Sequence, residues 1–309
     1  MVVVAVAGGT GNVGRTIVET LLQTKHQVVV LARKASSSLE GPLTVKVDYT
    51  NVDATTQLLE QHNVHTIISA LKITDDSASS AQVNLIKAAD SSSSVKRFIA
   101  SGWGGIPSET SPLTALQRVS NDELRKSKLQ WTRFVNGYFS DYYGIPGVKT
   151  HFTPLSFVVD VAGRKAAIPG TGDEPMAFTY SYDLAKFVAA FLDVSEWNEL
   201  TFCYGERTTW NDFVKVAEEV FFLGASFDVV YDSADNLAAG NITELPSHEK
   251  EFAAAPFPAA FARQLLAILG HWVVEGRFDI PVDESLNKAF PEIKPLSVRD
   301  VLLRRDVIE

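Results

Sequence analysis

The first fourteen residues place an apolar run directly before a cluster of glycines. The run VVVAVA covers residues 2–7, and Gly8, Gly11 and Gly14 follow it at a spacing of three residues. An apolar run without polar alternation is typical of a strand that is covered on both faces, as in parallel sheets. Glycines at the next turn let the backbone bend tightly and approach other groups closely. The segment therefore predicts a central strand that turns sharply into a helix.

Short apolar runs alternate with helical patterns along the first 135 residues. The predicted strands cover residues 2–7, 27–33, 43–48, 65–71, 96–101 and 129–135. Amphipathic segments such as NVGRTIVETLLQT, TTQLLEQH and SAQVNLIKAAD lie between most of them. Strands that alternate with helices pair in parallel, with helices on both faces of the sheet. The sequence thus predicts an α/β protein with a Rossmann doubly wound parallel sheet.

The regular alternation of strand and helix patterns ends after residue 136. The segment NGYFSDYYGIPG is aromatic and rich in turn residues, whereas SYDLAKFVAAFLDV predicts a helix and LTFCYG a strand. From residue 206 onward helical patterns are mixed with loops. We therefore expect a Rossmann domain made of residues 1–136 and 177–203, and a smaller C-terminal substrate-binding domain made of residues 137–176 and 204–309.

Composition and charge narrow the class of protein. The chain has 309 residues and a net charge of -9 without a basic stripe, so no nucleic-acid partner is expected. Its single cysteine, Cys203, excludes an intrachain disulfide, which fits a reducing, cytoplasmic location. We expect no membrane span, because no apolar run is long enough, and no metal, because the histidines lack a typical metal-ligand spacing.

The spacing of the three glycines matches the chemistry of dinucleotide binding. Gly8 would allow the tight exit from the strand, Gly11 the approach of a pyrophosphate, and Gly14 the packing of the helix on the sheet. The helix that begins near Asn12 would direct free N–H groups at the phosphates. A strand before the glycines and a helix after them make this interpretation specific. The alternative is a glycine-rich turn that holds no ligand.

Two basic residues follow the second predicted strand. A carboxylate at that point binds the ribose 2′-hydroxyl of NAD, but this chain has Arg33 and Lys34 there. A guanidinium can pair with a 2′-phosphate through charge-assisted hydrogen bonds. The sequence therefore predicts NADP(H) as the cofactor, with a solvated surface arginine as the alternative.

Two further strand ends are candidates for cofactor contacts. Asp48 ends the third strand and could reach the adenine, although simple turn chemistry explains it equally well. Ser69, Ala70 and Leu71 end the fourth strand, where ligands cross the carboxyl edge of such sheets.

Four segments taken together resemble a known family. AGGTGNVG, LARK, VNLIKAA with VKRFIASGWGG, and LQWTRFVNGYF occur in the order found in NmrA-like and isoflavone reductase-like proteins, which are atypical short-chain dehydrogenases/reductases. The likeness covers about the first 195 residues. It implies bound NADP(H) and a small C-terminal substrate domain for hydrophobic or aromatic molecules. The resemblance assigns the phosphate turn to Gly8, Thr10, Gly11, Asn12, Val13 and Gly14.

The same resemblance assigns residues to the nicotinamide end and also shows departures. The segment NGYF, which contains Asn136 and Gly137, would border the nicotinamide and the substrate, and Ser101 and Gly102 are further candidates for cofactor contacts. The family usually has glutamate where Gly102 stands. Its usual lysine, counted back from the threonine of the sixth strand, falls on Gln117.

The catalytic candidates of this chain therefore differ from the usual glutamate and lysine of the family. Arg118 beside that position can polarise a carbonyl but does not readily release a proton. A proton could come from Tyr138, Ser101, water or the substrate itself, while Arg118 or Thr114 orients the accepting oxygen.

Aromatic residues after the sixth strand predict the substrate pocket. Aromatic rings stack on flat ligands, and tyrosine hydroxyls fix their orientation. The candidates are Trp103, Tyr138, Phe139, Tyr142, Tyr143 and Phe178. The alternative for these residues is ordinary core packing. Helical spacing favours core packing for a separate group of aromatic residues, Trp210, Phe213, Phe221 and Phe222.

Three functions remain open from the sequence. The first is an NADPH-dependent reductase of a hydrophobic, aromatic or polyketide-like small molecule of secondary metabolism, acting as a monomer or homodimer. The second is an NADP(H)-sensing regulatory protein without catalysis. The third is a non-redox isomerase or cyclase on the same fold.

Replacement of Arg33 by alanine tests the 2′-phosphate assignment. A lost hydrogen bond to a charged group costs about 1.5–3 kcal/mol, so we expect the dissociation constant for NADPH to rise roughly tenfold or more. NADH lacks the phosphate and serves as the internal control in the same titration. Equal changes for the two nucleotides would refute the assignment.

Overall fold

The computed structural model describes residues 1–34, 41–108, 111–255 and 257–305. In chain order the strands are β1 (Val3–Ala7), β2 (Gln27–Ala32), β3 (Leu43–Lys46), β4 (Val64–Ser69), β5 (Arg97–Gly104), β6 (Gln130–Val135), β7 (Tyr138–Phe139), β8 (Val159–Asp160), β9 (Lys165–Pro169), β10 (Met176–Thr179), β11 (Leu200–Phe202), β12 (Glu206–Thr208) and β13 (Asp228–Asp232). The α-helices are α1 (Asn12–Leu21), α2 (Val52–Gln61), α3 (Asp76–Ser91), α4 (Pro112–Lys126), α5 (Asp141–Gly144), α6 (Ser181–Phe191), α7 (Trp210–Phe221), α8 (Ala234–Ala238), α9 (His248–Ala254), α10 (Ala259–Val274), α11 (Leu286–Ala289) and α12 (Val298–Arg304).

The chain divides into two compact units. Unit 1 consists of Met1–Trp103, Pro107–Val135 and Leu184–Cys203. Unit 2 consists of Gly104–Ile106, Asn136–Asp183 and Tyr204–Glu309.

Unit 1 contains the doubly wound sheet that the sequence predicts. Within the described residues, seven strands form a parallel sheet in the order β11-β6-β5-β4-β1-β2-β3. Because β1 pairs with β2 on one side and with β4 on the other, the strand order reverses at β1. Ligands of open α/β sheets bind at the carboxyl ends of the strands where this reversal occurs. The prediction of a Rossmann-type fold is confirmed.

The apolar opening run forms the centre of this sheet. The side chains from Val4 to Ala7 have no exposed surface, which explains the absence of polar alternation. In the strand register Ala7 is level with Leu31 of β2 and with Ser69 of β4. The ends of β2 and β4 therefore flank the glycine turn that follows β1.

One face of the sheet packs against α2, α3 and α4. The largest contributions to this cluster come from Phe98 of β5 and Trp131 of β6, together with Leu59, Ile86 and Leu124 of the three helices. Burial of such side chains supplies the main favourable free energy of the unit, at roughly 25 cal/mol per Å² of apolar surface.

Unit 2 contains two smaller sheets among the described residues. Their strand orders are β12-β10-β7 and β13-β9-β8. The sequence-based division placed residues 177–203 with the Rossmann domain, but residues 177–183 fall in unit 2. The physical reason is that Phe178 of β10 pairs with Tyr138 of β7 and with Glu206 of β12, outside the large sheet. That unit 2 binds the substrate stays a prediction.

Of the four helical aromatic residues predicted to be core, Trp210 and Phe213 are buried, whereas Phe221 and Phe222 at the end of α7 are partly exposed. Trp210 and Phe213 begin α7 and have at most 1% exposed surface. The ring of Trp210 lies 4.9 Å from that of Phe178, and Phe213 lies 4.6 Å from Tyr143. Among the described residues no single helix is long and apolar enough to cross a bilayer, although α9 and α10 pass that criterion as a bent pair.

A buried carboxylate ties three segments of unit 2 together. Asp141 has no exposed surface and accepts hydrogen bonds from the Ser181 amide at 2.8 Å, the Ser181 hydroxyl at 2.6 Å and the Thr150 hydroxyl at 2.6 Å. Burial raises the pKa of Asp141, and the hydrogen bonds from Ser181 and Thr150 oppose this increase.

The raised pKa of Asp141 predicts a specific pH dependence of stability. A carboxyl group whose pKa is higher in the folded state than its ordinary value of 3.8 contributes more stability as the pH falls through the folded pKa. We compare the free energies of unfolding of the wild type and Asp141→Asn by denaturant titration at several pH values. As the pH falls from neutral to mildly acidic, the free energy of unfolding of the wild type should rise relative to that of the variant, by at most about 1.4 kcal/mol per pH unit. If the difference in free energy of unfolding stays constant or shrinks as the pH falls, folding does not raise the pKa of Asp141.

Candidate cofactor site

The glycine turn after β1 leaves no room for side chains. Gly8 has a φ of +75°, and a Cβ at this position would lie 2.5 Å from the carbonyl oxygen of Ala70. The Gly11 amide closes the turn by donating to the Gly8 carbonyl at 2.9 Å. A Cβ on Gly14 would overlap that same carbonyl oxygen. Thr10 and Gly11, at the tip, are exposed, so the backbone of the turn is accessible to a ligand.

The first turn of α1 offers unsatisfied N–H groups. Gly11 precedes the helix and provides no side-chain cap, and the first helical hydrogen bond runs from the Arg15 amide to the Gly11 carbonyl at 2.8 Å. The amides of Asn12, Val13 and Gly14 consequently have no acceptor within the helix. No acidic residue lies in the first turn to oppose a bound anion. This end of α1 fits the pyrophosphate of a dinucleotide.

Arg33 and Lys34 follow the end of β2, beside the glycine turn. Both side chains are exposed. Because Leu31 is level with Ala7, Arg33 stands at the same edge of the sheet as the turn. The role of Arg33 at a 2′-phosphate stays a prediction.

Asp48 takes part in local turn chemistry. One of its carboxylate oxygens accepts hydrogen bonds from the Thr50 amide at 2.9 Å and the Thr50 hydroxyl at 2.7 Å. These bonds lower the pKa of Asp48. The side chain is exposed, and a contact with adenine stays a prediction.

The segment after β4 lies against the glycine turn on its other side. The Ala70 amide donates to the Ala7 carbonyl at 2.8 Å. The Ser69 hydroxyl is fully buried and has no hydrogen-bond partner among the described residues. Buried polar groups of this kind are rare and require an explanation, which a polar ligand at the strand end would supply.

Side chains fasten the last residues of β5 to the segment after β4. The Ser101 hydroxyl donates to the Leu71 carbonyl at 2.8 Å, and the Trp103 indole donates to the Ser69 carbonyl at 3.2 Å. The Ser101 amide donates to the Gln82 side chain at 3.1 Å. In this arrangement the Ser101 hydroxyl donates its proton to the Leu71 carbonyl, so its oxygen can accept a hydrogen bond from a ligand but cannot donate one.

Gly102 and Arg133 form a pair that the sequence analysis did not identify. Arg133 lies in β6 with 2% of its surface exposed, and its Nε donates to the Gly102 carbonyl at 2.8 Å. Gly102 has a φ of +155°, and a Cβ there would lie 2.8 Å from the guanidinium carbon. Arg133 therefore occupies the space that a side chain at position 102 would need. A charged residue inside the apolar run LQWTRFV is the signal that could have revealed it.

Helix α4 carries the other catalytic candidates of unit 1. The buried Thr114 hydroxyl donates to backbone carbonyls of Ser108 and Ser111, so it stabilises the start of the helix. Arg118 is partly exposed on the same helix.

The same helix also has polar atoms without partners. The side-chain oxygens of Gln117 and Asn121 are buried and have no hydrogen-bond partner among the described residues. Residues four apart share one face of a helix, so these two amides point in the same direction.

In unit 2, Asn136 and Gly137 have tightly defined backbones. The Asn136 amide donates to the Gly104 carbonyl at 2.9 Å, and its carbonyl accepts from the Thr179 hydroxyl at 2.6 Å. The Asn136 side-chain oxygen is buried without a partner among the described residues. A Cβ on Gly137 would overlap the carbonyl of Ala177.

The aromatic candidates of unit 2 pack together but differ in their hydroxyl groups. The Tyr143 hydroxyl donates to the Phe157 carbonyl, whereas the structure shows no hydrogen bond for the hydroxyls of Tyr138 and Tyr142 within the described ranges. Burial raises the pKa of Tyr138 well above its ordinary value, and the neighbouring tyrosines raise it further. Tyr138 is therefore a neutral hydrogen-bond donor and not a phenolate. Phe139 packs on the ring of Phe152 at 4.9 Å.

Comparison with known proteins agrees with this geometry. Residues 8–150 match a family model described as NAD(P)H-binding. Oxidoreductase BOA1 of Botryotinia fuckeliana is 35% identical over 96% of both chains. Oxidoreductase swnN of Metarhizium robertsii is 30% identical over 97% of this chain and 96% of its own length.

Solved structures share the fold at lower identity. AtPrR2 with NADP+ and (+)pinoresinol has a TM-score of 0.74 and 21% identity, with 98% of both chains covered. The ternary complex of leucoanthocyanidin reductase from Vitis vinifera has a TM-score of 0.72 and 19% identity, with 97% of this chain and 98% of that chain covered.

The doubly wound sheet and its glycine turn form a dinucleotide-binding fold, and with oxidoreductase relatives at 30% identity or more the chain is an NAD(P)H-dependent oxidoreductase. The chain belongs to the same family as the oxidoreductases BOA1 and swnN, and it shares its fold with isoflavone reductase.

Two alanine substitutions three residues apart separate cofactor binding from folding. A Cβ on Gly11 would approach the Gly8 carbonyl oxygen at 3.4 Å, which is ordinary contact, so Gly11→Ala should cost about 1 kcal/mol of stability or less. The new methyl group faces the expected pyrophosphate, so NADPH binding should weaken roughly tenfold or more.

Gly14→Ala is the matched comparison, because its Cβ overlaps the backbone of Gly8. We expect it to lower the free energy of unfolding by about 1–3 kcal/mol. Calorimetric titration with NADPH and denaturant unfolding measure both effects. Unchanged NADPH affinity in Gly11→Ala would place the pyrophosphate elsewhere.

Proposed function

We propose that this protein is an NADPH-dependent reductase of a hydrophobic, aromatic or polyketide-like small molecule in secondary metabolism. The observation that carries the proposal is that unit 1 has a glycine turn and Arg33 at one sheet edge, while unit 2 has a group of buried aromatic side chains. The names of the similar proteins support a redox role, and one structure of the same fold contains (+)pinoresinol.

The chain supplies geometry and electrostatics for the cofactor. When bound, NADPH supplies a hydride from its nicotinamide ring. The free amides at the start of α1 would hold the pyrophosphate, and Arg33 would hold the 2′-phosphate. The unpartnered hydroxyl of Ser69 would accept or donate a hydrogen bond at the same sheet edge. We assign Ser101 and Gly102 to the nicotinamide end, where their backbone is held by side-chain hydrogen bonds.

The substrate side of the proposal rests on the aromatic residues of unit 2. Tyr138, Phe139 and Tyr142 combine apolar rings with two hydroxyl groups that make no hydrogen bond within the described residues. Such a surface suits a flat ligand with one or two oxygen atoms. Phe178 and Tyr143 pack against Trp210 and Phe213, so we assign them to the support of this surface.

Proton delivery would come from a neutral donor. Tyr138 keeps its proton because burial raises its pKa, so it can donate a hydrogen bond to a substrate oxygen. Thr114 and Ser101 already donate their hydroxyl protons to backbone carbonyls. Arg118 would stabilise developing negative charge on the oxygen without releasing a proton. Tyr138 or a water molecule is therefore our preferred proton source.

The second candidate is an NADP(H)-sensing regulatory protein. Gly102 and Arg133 favour it, because a glutamate side chain at position 102 would overlap the arginine. A third candidate, a non-redox isomerase or cyclase, would use the same acid–base residues without consuming NADPH.

An absorbance assay with NADPH and a panel of aromatic enones and quinones separates the three functions. Oxidation of NADPH in step with product formation supports the reductase. Product without NADPH loss supports the isomerase or cyclase. Binding of the nucleotide without turnover of any compound supports the regulatory protein.

Replacement of Tyr138 by phenylalanine tests the proton donor. With an active compound from the panel we expect kcat to fall by about a hundredfold, because general acid catalysis contributes about that much or more. The dissociation constant for NADPH should stay unchanged. Tyr142→Phe is the matched control and should retain most of the activity. Equal kcat values for the wild type and Tyr138→Phe would assign the proton to water.

A further inference from the structure

Arg133 is a buried cation in β6. Its Nε donates to the Gly102 carbonyl at 2.8 Å, while its Nη1 is buried and has no partner among the described residues. No carboxylate in the part of the chain that the structure describes lies within ion-pair distance of its guanidinium. Burial lowers the pKa of Arg133 to about 10, so the group stays protonated at neutral pH. An isolated buried charge is costly, and a folded protein retains one where it has a use.

The guanidinium stands at the carboxyl edge of the sheet. Ile99 of β5 is level with Ile68 of β4, so Ala100 is level with Ser69, which in turn is level with the end of β1. Gly102, whose carbonyl Arg133 holds, lies two residues beyond that level. The charge is therefore fixed at the height of the glycine turn, on the β5–β6 side of the sheet.

This side of the sheet corresponds to the nicotinamide half of the dinucleotide. A dinucleotide crosses a doubly wound sheet at the point where the strand order reverses, with one mononucleotide on each side. Arg33 follows β2, so the adenosine half belongs on the β2 side. The nicotinamide half then belongs on the side of β4, β5 and β6.

The two redox forms of the cofactor differ in charge at that half. The oxidised nicotinamide ring carries a positive charge, and the reduced ring is neutral. Two like charges roughly 10 Å apart at an effective dielectric constant of about 20 change a binding constant by about tenfold. A surface charge would be screened by salt and water, but a buried one is screened much less.

We propose that Arg133 makes the site bind NADPH more tightly than NADP+, because its unneutralised charge repels the oxidised ring. Gly102 makes the arrangement possible, since a Cβ at that position would collide with the guanidinium. The inference rests on the proposed binding of NADP(H) at the glycine turn. It adds a residue that selects the redox state of the cofactor.

The test compares dissociation constants of NADPH and NADP+ by calorimetry, with no substrate present. In the wild type we expect NADPH to bind at least about fivefold more tightly. In Arg133→Met, which has a similar volume and no charge, the ratio should approach one through tighter binding of NADP+. Arg133→Lys keeps the charge and should keep most of the preference.

Arg97→Met is the control for loss of an arginine charge from the same sheet, at a partly exposed position. Arg97 lies at the amino end of β5 and also donates to carbonyls, those of Leu192 at 3.1 Å and Ser195 at 2.9 Å. Because it stands at the opposite edge of the same sheet, its replacement should leave the ratio of the two constants unchanged.

Several outcomes overturn the inference. Equal affinities for NADPH and NADP+ in the wild type would do so without any variant. An unchanged ratio in Arg133→Met, or an equal loss of both affinities, would reduce Arg133 to a structural role. If Arg133→Met does not fold, the ratio of the two dissociation constants in the wild type and in Arg133→Gln tests the inference instead. Failure of the wild type to bind either nucleotide is a different result, which refutes the proposed cofactor site itself.

Discussion

The close contact between Gly14 and the carbonyl of Gly8 is the constraint on which the site depends. It presses α1 against the end of β1, so the first amides of the helix meet the sheet edge where the strand order reverses. Helices α2 and α3 begin differently, because the side chains of Asn51 and Asp75 accept hydrogen bonds from their first turns. Those helices satisfy their own ends. Gly11 has no side chain that could cap α1, so the first N–H groups of this helix remain free.

Two unsatisfied polar atoms of unit 1 stand at the carboxyl edge of its sheet. The Ser69 hydroxyl and Nη1 of Arg133 are buried without partners among the described residues. Elsewhere in the unit, Gln82 of α3 shows the ordinary outcome, since its amide bonds both the Ser101 backbone and the Ser120 hydroxyl. Unpaired groups cost stability, so their presence beside the glycine turn agrees with a site whose hydrogen bonds a ligand completes.

The parts of the fold with strong periodicity could be predicted from the sequence, and the parts fixed by single long-range contacts could not. Burial on both faces leaves an uninterrupted apolar run, and the glycine spacing follows from the packing of the first turn, so β1 and its turn were predictable. The pairing of β10 outside the large sheet was not, because a short apolar strand carries no information about its partner. The pair of Gly102 and Arg133 was missed for a related reason. Arg133 of β6 contacts Gly102 of β5 only because the two strands are adjacent in the sheet, and no local sequence pattern predicts that adjacency.

In the two proposed roles, Arg33 and Arg133 would serve the cofactor in different physical ways. Arg33 is exposed, so water and salt screen its charge, and it can discriminate only by direct contact with a phosphate. Arg133 is buried, so its charge acts over a longer distance and needs no contact with the ring it influences. Contact recognition suits a fixed feature such as a 2′-phosphate, whereas action at a distance suits a charge that appears and disappears during turnover. Under these two proposals, cofactor identity and cofactor redox state would be selected at opposite sides of β1, and a substitution could alter one without the other.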